Sequence, residues 1–275
     1  MIGSFTRIVT RASLGASLLA LVSWAPVHAD EMTGRQIMDE SSRRNDRPIE
    51  FTVEEMRLVD ASGAEEVRQL RRYAKEFEDG LSKYLLTFDS PSGVAGVAML
   101  TWEKKGDEDD QWTYLPATKK LKRVVGGGKR NYFMGTDFAN EDLVAENLDR
   151  FRYDRQPDQV IDGVDHYVVN AYPEAAETKK STGYDHREIY IRKDNFFQDI
   201  VKFYERRTKK HKKTLTVTKA VPIDGEGWRT EEAVMDNLKE DHKTYTKILE
   251  RSFSEDSVPD SIFKHRTIEK NRHMR

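Results

Sequence analysis

The 275-residue chain contains no cysteine. That excludes disulfides, thiol chemistry, cysteine-ligated zinc and a cysteine-borne lipid anchor. It also lacks an apolar run long enough for a permanent membrane-spanning helix. The apolar run over residues 14–22 is short; Arg7 and Arg11 precede it, and Val27, His28 and Ala29 follow. This order of charge, grease and small residues is that of a secretory signal peptide, so residues 1–29 are expected to be removed after Ala29, and Pro26 breaks any longer helix. An exported protein without disulfides depends on its core, and the remaining chain is long enough to build a large one.

Neither sign of charge dominates. The chain has 46 Lys and Arg against 48 Asp and Glu, and the leader holds two of the arginines and none of the acids, so the remainder carries 44 against 48, a net charge of −4. A near-neutral surface of this kind suits solubility and grips polyphosphate poorly, which argues against a nucleic-acid partner. There is no nucleotide-binding motif and no Gly-x-Ser-x-Gly nucleophile elbow. Asp165, His166, His186 and Glu188 are the only residues that suggest a loose metal site, and they lack the spacing of a zinc protease. No catalytic residue, metal or cofactor is expected.

Periodicity divides the rest. Thr33 with Gln36 three residues on forms a capping box, which predicts one helix ending near Arg44, before Pro48. Beyond Pro48 the pattern alternates: Ile49, Phe51 and Val53, then Met56 and Leu58, then Val67, Leu70 and Tyr73, then Tyr84, Leu86 and Phe88. Strands with one wet and one dry face suit an antiparallel sheet. Further strands are expected at 112–116, 121–125, 151–153, 164–170, 188–191, 197–204, 215–221 and 244–253, with short helices over 140–146 and 231–238. No Pro/Gly/Ser-rich linker interrupts them, so residues 30–266 are expected to form one mainly β domain, with a charged, loose tail at 267–275.

The most ordered motif spans residues 112–143. Trp112-Thr113-Tyr114-Leu115-Pro116 leads through Lys119 and Lys120 to a basic strand, then to Gly126-Gly127-Gly128, then to Phe133-Met134-Gly135-Thr136-Asp137-Phe138 and Glu141-Asp142-Leu143. This run resembles the outer-membrane lipoprotein-sorting family, the LolA-like periplasmic carriers associated with RND-type transporters. The resemblance implies a LolA-like open, curved antiparallel half-barrel with a few plugging helices. It also implies a soluble periplasmic protein that binds a lipid or lipoprotein acyl chain and moves it between membrane partners. Those partners would be an RND-type or ATP-driven inner-membrane transporter and an outer-membrane acceptor. Two other readings stand beside it: a non-catalytic accessory subunit of such a transporter, and a periplasmic lipid-modifying enzyme, which would need polar groups converging inside the hollow.

A curved sheet turns alternate side chains inward, so a carrier's lining is expected from apolar residues of one parity. The candidates are Phe51, Val53, Leu86, Phe88, Met99, Trp112, Tyr114, Phe133, Met134, Phe138, Val168, Ile191, Phe203 and Leu215, each of which would serve equally as core. In the Phe133–Phe138 block, Gly135 permits a left-handed turn and Thr136 or Asp137 is placed to cap the following helix. The same block could instead gate the cavity, and the helix around Ile37 and Met38 could act as a lid. Lys122, Arg123, Arg206, Arg207, Lys209 and Lys210 are candidates for docking to anionic headgroups or to an acidic patch on a transporter. They suit solvated edges and hairpin ends equally.

Overall fold

The computed structural model describes residues 31–106 and 108–274, and the expected leader lies outside them. The first helix, α1 (Gly34–Asn45), begins at the predicted capping box, and Arg43 and Arg44 occupy its last turn, where the helix dipole favours cations. Six strands follow as a meander: β1 (Ile49–Val59), β2 (Glu65–Glu76), β3 (Ser82–Ser90), β4 (Ala98–Trp102), β5 (Asp110–Leu115) and β6 (Lys120–Val124). Residues 125–150 then travel to the opposite edge of the sheet. From there β7 (Phe151–Ile161), β8 (Val164–Pro173), β9 (Tyr184–Arg192), β10 (Gln198–Glu205), β11 (His211–Pro222), β12 (Trp228–Asn237) and β13 (His242–Ser252) return until β13 pairs with β1, and α2 (Ala176–Ser181) sits between β8 and β9.

The result is one antiparallel sheet of 13 strands, open between its edge strands β6 and β7. The expected architecture, an open antiparallel half-barrel with a few helices, is the one observed. The crossing segment spans the gap between the edges: Arg150 donates to both oxygens of Asp109 at 3.1 and 2.8 Å, and the Lys129 ammonium lies 3.3 Å from Glu108.

Both faces of the sheet carry core. On the hollow face Met56, Leu58, Leu70, Leu86, Phe88 and Met99 pack with Phe133 and Phe138 of the crossing segment and with Phe203 and Met235. On the other face of β2–β5, Tyr73, Leu85, Ala98, Leu100 and Tyr114 are covered by Val258, Ile262, Phe263 and Ile268. These belong to the segment after β13, which includes the short helix α3 (His265–Glu269). Within this closing segment Ile268 and His273 are fully buried, and His273 Nε2 donates to the Gly96 carbonyl at 3.1 Å.

The helix α1 lies against the inner side of the β7–β9 end, where Ile37 and Met38 meet Tyr153, Val169, Ala171, Ile189 and Ile191. Its seat is close. A Cβ on Gly34 would stand 2.7 Å from the Tyr153 carbonyl oxygen and 3.0 Å from the Arg155 nitrogen. Gly34→Ala is therefore expected to lower the unfolding free energy by about 1–3 kcal/mol despite the better helix propensity of alanine. Urea unfolding checks the sign: a stabilised variant would mean that the helix is not held against β7.

One predicted element changes type. Residues 231–238, rich in helix-forming Glu, Ala, Met and Leu, belong mostly to strand β12. Pairing on both sides, with β11 and β13, overrides local propensity, and the burial of Ala233, Met235 and Asn237 shows the period of two.

Candidate functional site

The hollow holds a cavity of about 660 Å³, within the range of small-molecule sites. Five of the expected lining residues face it: Leu86 and Met99 on the β3–β4 wall, Phe138 on the crossing segment, and Phe203 and Leu215 on β10 and β11. Leu143, Ile189, Val201, Val217, Met235 and Ile248 add to the apolar lining.

The remaining candidates lie elsewhere, mainly for reasons of parity. A shift of one residue along a strand moves a side chain to the opposite face. On β1 the buried inward residues are Thr52, Glu54, Met56 and Leu58, so Phe51 and Val53 face the other way; Phe51 packs on Tyr73 with ring centroids 4.9 Å apart. On β5 the inward residue is Gln111, whose Nε2 donates to the Asn140 carbonyl at 2.9 Å. Trp112 and Tyr114 point outward, Trp112 against His265 and Tyr114 against His273. Val168 lies on the face of β8 opposite Val169, which packs on α1, and Ile191 is sealed under that helix. Phe88 and Phe133 stack with centroids 5.7 Å apart and, with half-buried Met134, form core beneath the cavity rather than its surface.

The crossing segment is fastened by buried polar groups. Gly135 takes the left-handed turn expected of it, φ +78°. Neither Thr136 nor Asp137 caps a helix: the Thr136 hydroxyl donates to the Phe133 carbonyl at 2.8 Å, and Asp137 accepts from Asn237, His242 and Thr244 at 2.9, 2.6 and 2.8 Å. The helix expected over 140–146 is a single 3-10 turn, Asn140–Leu143, capped by Asp142, which accepts from the Ala139 amide at 2.7 Å.

Lys213 lies in the basic run 206–213 yet is wholly buried; its ammonium donates to Asp142 at 2.6 Å and to the Asp137 carbonyl at 2.7 Å. Tyr184 donates to the same Asp142 carboxylate at 3.0 Å. Arg187, under the Phe151 and Tyr184 rings, bonds Glu146, which also accepts from the Tyr153 hydroxyl. Alternation held the signal for both missed cations. Lys213 shares its face with Leu215 and Val217, and Arg187 with Ile189 and Ile191.

Glu141 accepts from the Thr182 hydroxyl at 2.6 Å and the Gly183 amide at 2.8 Å. Burial, reinforced by the neighbouring Asp142 charge, raises its carboxyl above the ordinary range. The folded protein thus holds this proton more tightly than the unfolded chain does. The stabilisation linked to it is complete below the usual glutamate value of about 4.3 and is lost as pH rises through the raised value. Relative to the parent, Glu141→Gln is therefore expected to gain stability steadily from pH 4 towards neutrality. Urea midpoints across that window test it, and a constant difference would refute the assignment.

Glu54 and Glu50 also stand in the wall of the hollow. Glu54 accepts from Arg72 at 3.0 Å and from the Thr52 hydroxyl at 2.7 Å. Glu50 accepts from Arg229 at 3.0 Å and from Arg251 at 2.9 Å. The conceivable metal ligands do not meet. His166 stands opposite Arg192 and bonds Asp199, whereas His186 bonds Asp185 further along β9. Among the described residues no group of three or more His, Asp or Glu side chains is placed to hold a metal.

Lys122 and Arg123 lie on edge strand β6, and Arg123 pairs with Asp110. Arg206, Arg207, Lys209 and Lys210 form the exposed turn between β10 and β11; Arg206 donates to the Lys180 carbonyl at 3.2 Å, and Lys209 lies 3.7 Å from Asp185. No helix among the described residues is long and apolar enough to cross a membrane.

A family model described as "-like: Uncharacterized protein" matches residues 80–270, well over half the chain. No curated protein matches it. Among solved structures, the chain is similar to an outer membrane lipoprotein-sorting protein domain from Vibrio parahaemolyticus, at 27% identity and a TM-score of 0.79 over 86% of this chain and 98% of that one. A DUF1329 family protein from Desulfovibrio piger superimposes with a TM-score of 0.78 at 24% identity, over 86% of this chain and 97% of that one. A LolA superfamily protein from Nitrosomonas europaea gives 0.67 at 19% identity, over 86% and 99%, and shares the fold. With its open 13-stranded sheet and residual hollow, the chain belongs to the family of that model and is similar in fold to the outer-membrane lipoprotein-sorting and LolA-like proteins.

Proposed function

We propose that this protein carries a lipid or an acylated protein in the hollow of its half-barrel, within the periplasm, and passes it between membrane partners. The observation that carries this reading is the apolar cavity of about 660 Å³ that remains after the crossing segment and α1 have filled the rest of the hollow. Each buried methylene contributes about 0.8 kcal/mol, so one long chain supplies on the order of 10 kcal/mol of gross affinity with no chemical step. The buried and half-buried carboxylates Glu50, Glu54, Glu141, Asp142 and Glu146 around the cavity are bonded to arginine, lysine, hydroxyl or backbone N–H groups, an arrangement that positions the wall. The partners proposed are an RND-type or ATP-driven inner-membrane transporter and an outer-membrane acceptor. Lys122, Arg123 and the exposed turn carrying Arg206, Arg207, Lys209 and Lys210 are the docking candidates.

The test is mass spectrometry of organic extracts from protein isolated without detergent, compared with Leu215→Glu. Leu215 lines the cavity but is only half buried, so the charge is expected to spare the fold while reducing retained cargo by roughly tenfold or more. Lipid-free protein from the native source would favour the transporter-accessory reading instead.

A further inference from the structure

Two cations and one anion meet at one place in the wall of the hollow. Arg229 and Arg251 both donate their Nε to the single Glu50 carboxylate, at 3.0 and 2.9 Å, and all three side chains line the cavity. They are only 16%, 14% and 22% exposed, so this is a partly desolvated group of two cations and one anion. The neighbouring pair Glu54–Arg72 is balanced, and exposed Asp46 at the rim has Arg47 beside it in the chain.

The remaining bonds fix both guanidiniums in place. Arg229 Nη1 donates to the carbonyls of Asn45 and Trp228, and Arg251 Nη2 donates to the Thr230 carbonyl at 2.6 Å. Arg229 Nη2 and Arg251 Nη1 take part in none of these bonds. Two fixed forks with spare donors, carrying one excess positive charge beside an apolar cavity, match a monoanionic group attached to a greasy tail.

We propose that Arg229, Arg251 and Glu50 form a headgroup subsite. It takes the terminal carboxylate or phosphate of a single-tailed acyl amphiphile, whose tail extends along Val217, Ile248 and Leu215. This rests on the carrier reading and narrows its cargo to anionic amphiphiles. Glu50 acts as an internal counter-ion that bonds both arginines and sets the net charge of the trio at plus one.

The experiment uses the protein as processed by its host and displaces a neutral fluorescent acyl probe with hexadecanoate, hexadecyl phosphate, hexadecanol and inorganic phosphate. The two anionic amphiphiles are expected to bind about tenfold tighter than hexadecanol, the worth of one charge-assisted contact, and the gap should shrink with salt. Inorganic phosphate should not displace the probe. Arg251→Gln should close the gap between the anionic amphiphiles and hexadecanol. Glu50→Gln, an isosteric change, should widen it several-fold, which keeps the proposal testable if the arginine variant does not fold. Equal binding of hexadecanoate and hexadecanol by the unaltered protein overturns the subsite but leaves the carrier reading standing. Binding of none of the amphiphiles overturns both.

Discussion

Replacing Asp142 by asparagine is expected to lower the unfolding free energy by about 3–5 kcal/mol. The Lys213 side chain is completely buried and its Asp142 partner is 4% exposed, so the variant leaves an ammonium in the interior without a counter-ion, facing neutral amide and carbonyl oxygens and three aromatic rings at 5.0–5.4 Å. Asp142 also holds the Ala139 amide and the Tyr184 hydroxyl, so its loss loosens the crossing segment from the sheet. Urea unfolding followed by tryptophan fluorescence gives the magnitude. The double change Asp142→Leu with Lys213→Met should recover a large part of the loss, because two apolar groups of similar volume do not need each other. A single-variant cost below about 1 kcal/mol, the range of exposed ion pairs, would show that the crossing segment is not clamped there.

Ending the chain at Phe253 is expected to prevent stable folding. That truncation removes Val258, Ile262, Phe263 and Ile268, all buried against the outer face of β2–β5. Each contributes about 1.5–3 kcal/mol, so the loss rivals the roughly 5–15 kcal/mol by which whole domains are stable. It also strips the Phe263 carbonyl that accepts from Trp102 Nε1 at 3.1 Å, and bares Leu85, Leu100 and Tyr114 to water. Circular dichroism and size-exclusion chromatography of the truncated chain check this. A monomer with an unchanged melting temperature would mean that the outer face needs no cover.

These two results depend on features the sequence disclosed unequally. The capping box at Thr33, the alternation of β1 to β3 and the turn at Gly135 are local, and each could be read from neighbouring residues. Which side of a strand faces the hollow is not local. Phe51, Trp112 and Tyr114 are as apolar as Leu86 and Phe203, but the segment after β13 offers them a second core, so hydrophobicity alone could not separate the two faces. Both faces of the β2–β5 sheet are dry. Lys213 and Arg187 looked like solvated charge because their counter-ions, Asp142 and Glu146, come from a segment distant in sequence. Their positions in phase with Leu215 and Ile189 were the only local hint. The headgroup trio shows the same limit, since Glu50, Arg229 and Arg251 meet only once β13 closes onto β1 and β12.

Whether an apolar tail resides in the hollow is open to direct measurement by photo-crosslinking. A fatty acid bearing a photoactivatable group near its methyl end would be loaded onto the protein, irradiated, and its attachment sites mapped by peptide mass spectrometry. Labels are expected on residues around the cavity such as Leu86, Phe203, Leu215 and Met235. Labels confined to the outer face, around Trp112 and His265, would contradict that expectation.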